Sequence, residues 1–223
     1  MRSFIVRDRN ILIYGAGGSG RELAFSMASC KDQEAGWILK GFIDDTKELA
    51  GKTINGVPVV GGIEYLKDYT GNLAVTIFDD PEIRKQLILR IKTNRAITFP
   101  TLISTTSLVS CHARWGEGCI VNYFNVISPD VVLGDFVLVN SRCGIGHDAQ
   151  VGDYATLYAA VTIGGGASVG AGCVIGSGTT VLPKVKIGAG TIIGAGTLVT
   201  KDLPEGVLAT GAPAKIKRKI QSL

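Results

Sequence analysis

Histidine is scarce in this sequence: His112 and His147 are the only two among 223 residues. A zinc centre built from three histidines is therefore excluded. Long apolar runs are also missing, because charged residues interrupt every stretch before the roughly 18 apolar residues that a membrane-spanning helix needs. The opening residues, MRSFIVRDRN, carry charges where a secretory signal would need an apolar core. These absences predict a soluble, cytoplasmic protein with no membrane insertion.

The cysteines indicate neither a disulfide framework nor a zinc site. The five cysteines are an odd number with no CxxC pair, which argues against disulfides or a zinc knuckle and predicts reduced thiols and no metal. The net charge is +4, and part of it lies in a basic tail: Lys215, Lys217, Arg218 and Lys219. Without aromatic residues or an amphipathic face beside it, this tail fits a single phosphate-bearing ligand at least as well as nucleic acid or an acidic membrane.

A period of six residues runs through the second half of the chain. Stepping by six from Ile103 to Val199 meets seventeen apolar residues in succession. The next position is often glycine, and the position two before is mostly small, including Cys119, Cys143 and Cys173. Neither an amphipathic helix nor a hairpin has this period.

The period of six predicts a solenoid of short flat strands over residues 101–202. The aliphatic residues fill the interior, the small residues, with the three cysteines, leave room beside them, and glycine permits unusual backbone angles at the corners. Three hexads make one triangular coil, so the repeat predicts between five and six coils. The pattern is typical of the hexapeptide repeat of left-handed parallel β-helices.

Residues 1–100 read differently, as a small Rossmann-like α/β domain. ILIYGAGGSGRELAFSMA predicts a strand, a glycine turn and a helix, and the turn matches G-x-G-x-x-G at Gly15, Gly17 and Gly20. The next strand, ILKGFIDD, ends on Asp44 and Asp45, where such folds place an acidic residue for ribose or base. The domain is about half a dinucleotide fold, which suits a mononucleotide such as the UDP of a nucleotide sugar. Alternatively, the glycines only make a tight turn and the aspartates only cap a loop.

His147 is the candidate catalytic residue. It stands two residues past an interior aliphatic position, where a side chain faces outward near a corner, and its imidazole suits a general base at neutral pH. Asp148 beside it is positioned to orient the ring or raise its basicity. One coil further on, Gly165 offers bare backbone that leaves room for a thioester and N–H groups for an oxyanion. Alternatively, His147 is an ordinary polar side chain on the surface of the solenoid. His112 is interpreted in the same way.

The last segment, 203–223, follows the final hexad. Here Gly211-Ala212-Pro213-Ala214-Lys215 forms a tight turn before the basic tail, and its lysines are suited to phosphate. On structural grounds alone this segment is a solenoid cap with a solvated tail.

Taken together, these motifs resemble the hexapeptide-repeat sugar acetyltransferases of the PglD/NeuD type, which carry an N-terminal Rossmann-like domain. The resemblance covers nearly the whole chain, through YGAGGSG, GFIDD, GHDAQVGD and ATGAPAK. It implies an acetyl-CoA-dependent N-acetyltransferase acting on a UDP-4-amino-4,6-dideoxy sugar in bacterial surface glycan biosynthesis. It also implies a homotrimer with active sites between subunits and direct acetyl transfer without an acyl-enzyme.

The resemblance assigns roles by position. The general base falls on His147 and the carboxylate that enhances its basicity on Asp148. The nucleotide-sugar contacts fall on Gly17, Gly18, Ser19, Asp44, Asp45 and Gly62. Acetyl-CoA is expected near Thr156, Gly165, Ser177, Ala195 and Lys215. Two positions depart from the family pattern, since relatives often carry histidine where this chain has Ser19 and Thr156.

Two other functions remain open on the sequence. A base beside a nucleophile does not distinguish N- from O-acetylation, so an O-acetyltransferase of sialic acid or a related sugar is one alternative. A non-catalytic solenoid scaffold is the other, although the GHD and GAPAK motifs argue against it. The γ-class carbonic anhydrases share the solenoid but need the three zinc-binding histidines that this chain lacks.

Overall fold

The computed structural model of the chain describes residues 9–29 and 36–220. The start of the chain and Cys30, on which two of the predictions fall, lie outside these ranges. The chain forms two compact units. One contains the chain up to Ile77 together with Gln86–Pro100, and the other contains Phe78–Lys85 together with the chain from Thr101 onwards. No helix within the described ranges is both long and apolar enough to cross a membrane.

The first unit is an α/β sheet of six strands in the order β3-β4-β2-β1-β5-β6. All neighbouring strands are parallel except β3 and β4, which form an antiparallel pair. Its elements are β1 (Asn10–Tyr14), α1 (Gly18–Ser29), β2 (Ile38–Ile43), β3 (Thr53–Ile54), β4 (Val57–Gly61), β5 (Gly71–Val75), α2 (Pro81–Ile91) and β6 (Ile97–Thr98), with 3-10 helices at Lys47–Leu49 and Ile63–Lys67. Helix α2 begins in the second unit and ends in the first.

Strand β1 lies at the centre of this sheet. Ile11, Leu12 and Ile13 are almost fully buried, as expected for a parallel strand whose two faces are both covered. The chain runs from β1 to β2 on one side and later to β5 on the other. The carboxyl end of β1 is therefore a topological switch point, the place where open α/β sheets bind ligands. The glycine turn follows β1 directly.

The second unit is the left-handed β-helix. Its seventeen two-residue strands form three parallel sheets, in which strands eighteen residues apart are hydrogen-bonded, as in the pair Thr156 and Val174. The first sheet contains β7 (Leu102–Ile103), β10 (Ile120–Val121), β13 (Leu138–Val139), β16 (Thr156–Leu157), β19 (Val174–Ile175) and β22 (Ile192–Ile193). The second contains β8 (Leu108–Val109), β11 (Val126–Ile127), β14 (Gly144–Ile145), β17 (Thr162–Ile163), β20 (Thr180–Val181) and β23 (Leu198–Val199). The third contains β9 (Arg114–Trp115), β12 (Val132–Leu133), β15 (Gln150–Val151), β18 (Ser168–Val169) and β21 (Lys186–Ile187).

The interior of the solenoid contains the two predicted columns. The aliphatic column is buried from Val121 to Val199, and the small column is buried beside it, including the three predicted cysteines. Trp115 is an exception, since it remains 43% exposed. The reason is that β9 is the end strand of its sheet and pairs only with β12, so one side of its side chain has no neighbouring coil.

The glycines that follow the aliphatic column have a different role from the predicted one. They do not adopt positive φ; instead, a side chain at Gly152 would place Cβ 2.5 Å from the backbone nitrogen of Ala171 in the next coil. These glycines are therefore required by the close approach of successive coils. The positive-φ residues stand two positions later, and many are not glycine: Phe124, Asp130, Phe136, Arg142, Asp148, Tyr154, Ala160 and Lys184.

Each coil turns at three corners, and equivalent corner residues are linked by backbone hydrogen bonds. We name the corners by one member each. The His147 corner contains Pro129, His147, Gly165 and Pro183; the Ser177 corner contains Ser141, Ala159, Ser177 and Ala195; the Asp153 corner contains Glu117, Asp135, Asp153 and Ala171. Along the chain, the sheet that contains β14 lies between the Ser177 corner and the His147 corner.

An earlier segment, Phe78–Lys85, and the C-terminal segment both join the solenoid. Phe78–Lys85 belongs to the solenoid unit although it precedes the predicted start of the solenoid at residue 101. At the other end, β24 (Val207–Thr210) pairs in parallel with β22, and β25 (Lys215–Lys219) pairs antiparallel with β24. The predicted cap therefore extends the first sheet of the solenoid.

We expect Gly152→Ala to destabilise the solenoid, because the added Cβ meets backbone that has no room to move. Overpacking of this kind costs about 1–3 kcal/mol. The control is Gly190→Asn at a positive-φ corner position where an added Cβ contacts nothing within 4 Å. Asparagine tolerates this conformation, so the control should unfold within about 0.5 kcal/mol of the parent. Equal urea-unfolding free energies for Gly152→Ala and the parent would contradict the packing argument.

Candidate active site

His147 and Asp148 form a hydrogen-bonded pair on the solenoid surface. Nδ1 of His147 lies 2.7 Å from Oδ2 of Asp148, and the two side chains are 72% and 65% exposed. With the proton on Nδ1, the imidazole donates to the carboxylate and Nε2 keeps a free lone pair. The positive φ of Asp148 turns its side chain beside the ring of the preceding residue. The arrangement is that of a base held in one tautomer by a carboxylate.

Gly165 lies one coil from His147, and the ring packs against its bare Cα. A Cβ at Gly165 would stand 2.7 Å from Nε2 and 2.9 Å from Cε1 of His147. The space that the sequence assigns to a thioester is therefore partly filled by the imidazole. The absence of a side chain at Gly165 allows the ring to lie along the corner, with Nε2 directed toward the next coil.

Ser177, Ala195 and Lys215 follow one another along the Ser177 corner. The backbone N–H of Gly196 donates to the carbonyl of Ser177 at 2.8 Å, which places Ala195 one coil beyond Ser177. Ala195 and Gly211 each stand two residues past the paired residues Ile193 and Ala209, and Lys215 pairs with Thr210 across the turn. The three residues are exposed and form one continuous edge.

The structure separates these residues from the His147 pair within one chain. His147, Asp148 and Gly165 lie on one corner of the coil, and Ser177, Ala195 and Lys215 lie on another. The sheet that contains β14 stands between the two corners. A molecule that contacts both sets of residues must therefore bridge two corners of one solenoid or lie between two copies of the chain.

Thr156 occupies a different environment from both sets. Its side chain is fully buried, and its hydroxyl donates to the carbonyl of Phe78 at 3.2 Å and accepts from Arg84 at 3.0 Å. The guanidinium of Arg84 also donates to the carbonyls of Tyr154 and Ala155. Burial lowers the pKa of Arg84 to about 10, which leaves it charged at neutral pH. This geometry leaves no surface of Thr156 exposed to a ligand.

The four glycines in and after the turn that follows β1 form two pairs with different roles. Gly15 has φ +103, and Gly20 would place a Cβ 1.8 Å from the carbonyl oxygen of Gly15. Those two glycines make the tight turn, as the alternative interpretation requires. A Cβ at Gly17 or Gly18 would contact nothing within 4 Å, and both residues are exposed. Because α1 begins at Gly18, its first N–H groups, with that of Ser19, point out of the helix and are suited to an anion.

Asp44 and Asp45 already have protein partners for all four carboxylate oxygens. Asp44 accepts from the N–H groups of Ala16 at 2.8 Å and Thr46 at 2.9 Å. Asp45 accepts from the N–H of Ile63 at 2.7 Å and from the hydroxyl of Tyr14 at 2.5 Å. Gly62 leaves room for the Asp45 carboxylate, because a Cβ at this position would stand 2.8 Å from the carboxylate oxygen. The aspartates therefore order this loop whether or not they also contact a ligand.

The pKa of Asp44 follows from these bonds. Burial acts to raise it, but the N–H groups of Ala16 and Thr46 stabilise the charged form and hold the pKa below its usual value. Burial and the bond to Asp45 raise the pKa of Tyr14, so the phenol stays protonated.

Several ordered polar residues have no counterpart among the sequence predictions. Tyr14 supports Asp45, and Tyr158 donates to Asp79 at 2.5 Å beside the Ser177 corner. Burial and that bond raise the pKa of Tyr158 to about 12. The sequence does contain a sign that Arg84 is buried. Arg84 stands at helical spacing from Ile88 and Ile91, on the buried face of α2. An arginine in an apolar stripe indicates a buried polar contact.

The buried thiols are inert. Burial raises the pKa of Cys119, Cys143 and Cys173 to about 11, so they stay protonated at neutral pH and are poor nucleophiles. In the part of the chain that the structure describes, no three histidine, cysteine or carboxylate side chains converge as metal ligands.

Comparison with known proteins identifies the family. The family model for the PglD N-terminal domain matches residues 10–91, and that for the bacterial transferase hexapeptide (six repeats) matches residues 166–201. A search of curated proteins finds no match. Among solved structures, the chain is similar to a histidine-to-alanine variant of GDP-perosamine N-acetyltransferase from Caulobacter crescentus in complex with CoA and GDP-perosamine. The identity is 32% over 94% of this chain and 97% of that one, with a TM-score of 0.85.

Two further structures are similar over nearly the full length. The acetyltransferase domain of PglB from Neisseria gonorrhoeae in complex with acetyl coenzyme A is 26% identical, covers 94% of this chain and 99% of that one, and has a TM-score of 0.85. WeeI from Acinetobacter baumannii is 26% identical over 92% and 98% of the two chains, with a TM-score of 0.69. Fold, repeat and relatives together define a class of acyltransferase enzymes. The chain belongs to the hexapeptide-repeat sugar acetyltransferases of the PglD type, as its motifs predict.

We expect Asp44→Ala to lower the unfolding free energy at pH 7 by about 1–3 kcal/mol, because two backbone N–H groups lose their acceptor. The folded-state pKa of Asp44 lies below its unfolded value, so its contribution is fully present above the unfolded value. The difference between variant and parent should therefore shrink as the pH falls through the folded-state pKa. Urea unfolding at pH 7 and in acid tests this, with exposed Asp68→Ala as control. A pH-independent difference would contradict it.

Proposed function

We propose that this protein transfers acetyl from acetyl-CoA to the amino group of a nucleotide-linked sugar, with His147 as general base. The single observation that carries the proposal is the His147–Asp148 pair, 2.7 Å between Nδ1 and Oδ2, on a corner where the missing side chain of Gly165 makes room for a ring that is 72% exposed. The relatives support it, because the solved structures similar to this chain include an N-acetyltransferase in complex with CoA and GDP-perosamine.

The proposed reaction is direct transfer in a ternary complex. The sugar amine attacks the thioester carbonyl, and Nε2 of His147 accepts the proton that the nitrogen loses. Asp148 stabilises the imidazolium that forms. As the carbon–sulfur bond breaks, the imidazolium returns the proton to the CoA thiolate. The N–H of Gly165 stabilises the oxyanion, since the N–H groups of Gly164 and Gly166 already donate to Val181 and His147. The buried, protonated thiols supply no nucleophile for an acyl-enzyme.

Acetyl-CoA is proposed to lie along the Ser177 corner. Ser177 and Ala195 are small, exposed and one coil apart, which suits an extended pantetheine arm. Lys215 stands further along the same corner, where its ammonium meets the phosphates. Thr156 is not included, because its hydroxyl is buried between Phe78 and Arg84.

The same geometry supports a homotrimer with its sites between subunits. The proposed base and the proposed CoA residues lie on different corners, so each site is completed by the corner of a second copy. The sheet between the two corners has no charged side chain on its outward face, which consists of Leu108, Val126, Gly144, Thr162, Thr180 and Leu198. An uncharged face suits an interface between copies. The number three rests on the family resemblance.

The sugar nucleotide is proposed to bind the first unit at Gly17, Gly18 and Ser19. The N–H groups at the start of α1 donate to its phosphates, and the loops that contain Asp44, Asp45 and Gly62 border the same edge of the sheet. We propose a UDP-4-amino-4,6-dideoxy sugar as substrate. The GDP-perosamine enzyme makes GDP-linked sugars the first alternative nucleotide to test. A role in bacterial surface glycan biosynthesis and a cytoplasmic location complete the proposal.

The test is a thiol-release assay with acetyl-CoA against UDP- and GDP-linked 4-amino sugars, the same nucleotides linked to sugars without the amine, and free sialic acid. We expect turnover only with the amino sugars. His147→Ala should lower kcat by about 10²–10⁴-fold, the usual contribution of a general base. His112→Ala is the matched control and should keep parental activity, because it lies two coils away.

The outcomes separate the alternatives. Turnover of sialic acid instead of amino sugars would assign O-acetylation. Parental activity in His147→Ala would remove the proposed base, and an absence of turnover on the whole panel would favour a scaffold.

A mixing experiment tests whether the site lies between copies. His147→Ala and Ala195→Trp should each be inactive alone, since one lacks the base and the other blocks the Ser177 corner. Co-expressed in equal amounts, they should recover about a quarter of parental activity, because that fraction of interfaces in a cyclic assembly pairs two intact corners. Activity after purification by two different tags, with sedimentation to count subunits, provides the measurement. No recovery in confirmed mixed assemblies would place the site within one chain.

A further inference from the structure

Charge is segregated along the axis of the solenoid. Residues 101–160 contain five acidic and two basic side chains: Glu117, Asp130, Asp135, Asp148 and Asp153 against Arg114 and Arg142. Residues 176–220 contain two acidic and seven basic ones: Asp202 and Glu205 against Lys184, Lys186, Lys201, Lys215, Lys217, Arg218 and Lys219. The coils around His147 therefore suit a cationic amine, and the C-terminal coils suit a polyanion.

Two of these lysines extend the His147 corner. Lys184 follows Pro183, the corner residue two coils beyond His147, and the pairing of Val181 with Val199 places Lys201 one coil further. Lys184 has φ +64, and its Cγ would lie 3.5 Å from a Cβ built on Gly166. Its stem therefore leans along the corner over a bare glycine, toward His147.

The distances of Lys184 and Lys201 from His147 along the solenoid axis follow from the coil spacing. Neighbouring strands are about 4.8 Å apart, so Lys184, two coils beyond His147, is roughly 10 Å away, and Lys201, three coils beyond, is roughly 14 Å away. A pantetheine arm of about a dozen bonds of 1.3–1.5 Å spans roughly 15 Å when extended. An acetyl thioester at His147 therefore brings the pyrophosphate of its CoA to the level of these two lysines.

Among the described residues, neither ammonium group has a carboxylate partner. In the part of the chain that the structure describes, Lys184 and Lys201 are exposed and have no carboxylate within ion-pair distance. The Asp202 carboxylate is instead used by the backbone N–H of Lys186 at 2.8 Å. The ammonium groups of Lys184 and Lys201 therefore give the corner of the proposed base a positively charged surface that is suited to an anion.

We propose that Lys184 and Lys201 bind the phosphates of acetyl-CoA from the side of the His147 corner. They face Lys215 of the copy whose Ser177 corner holds the pantetheine arm. One copy thus supplies both the base and half of the phosphate contacts. This inference rests on the proposed function, because it takes acetyl-CoA as the co-substrate and a site between two copies.

The experiment measures binding of CoA to the full-length protein by titration calorimetry, which requires no knowledge of the sugar. The double variant Lys184→Gln/Lys201→Gln should weaken CoA binding about ten-fold at low ionic strength, and this loss should diminish in high salt. Lys186→Gln removes the same charge from the same coil on a different face, so it should stay within about two-fold of the parent. Melting temperatures establish that all variants are folded.

A second measurement separates the phosphates from the rest of the site. With S-acetylpantetheine, which has no phosphates, the double variant and the parent should have equal kcat/KM. CoA affinity unchanged in the double variant, or lowered equally by Lys186→Gln, would overturn the inference while the proposed function stands. A parent protein that binds no CoA would overturn both.

Discussion

Hydrogen bonding between successive coils is the constraint on which the rest of the solenoid depends. Each coil places its backbone directly against the next, as where the N–H of Gly146 donates to the carbonyl of Ile163 at 2.8 Å. Where glycine follows the interior aliphatic residue, as at Gly152, a side chain would meet the backbone of the next coil. The same stacking closes the interior around a column of small residues. Stability of each coil therefore depends on its neighbours, as in other repeat proteins.

Coil stacking also prepares the chemistry of the site. Residues eighteen apart become neighbours, so the imidazole of His147 rests on Gly165 without any long-range loop to position it. Asp148 is adjacent in sequence and is turned toward the ring by its positive φ. A rigid corner therefore holds the proposed base at little entropic cost. The triangular section has a further effect, because it keeps the Ser177 corner away from this pair and makes a second copy part of the proposed site.

The first unit meets a different requirement, which is to leave anion-binding groups free at the edge of a packed sheet. Gly15 and Gly20 are needed to form the turn itself, and the carboxylates of Asp44 and Asp45 accept hydrogen bonds that order the neighbouring loops. Gly17 and the first turn of α1 remain open. The protein thus satisfies its own polar groups around the turn and leaves the helix N-terminus available for the proposed sugar nucleotide.

The sequence by itself determined the features that repeat or are local. The period of six predicted the β-helix, the interior columns and the buried cysteines, because a narrow interior imposes the same size rule on every coil. The GHD motif predicted the pair of His147 and Asp148, which the structure shows to be hydrogen-bonded, because the two are neighbours in the chain. Only the tertiary structure decided that Thr156 is buried under Arg84, 72 residues earlier in the chain, and that Asp44 is held by Ala16. Such contacts join distant, non-periodic positions, so they depend on packing within each unit and leave no regular trace in the sequence.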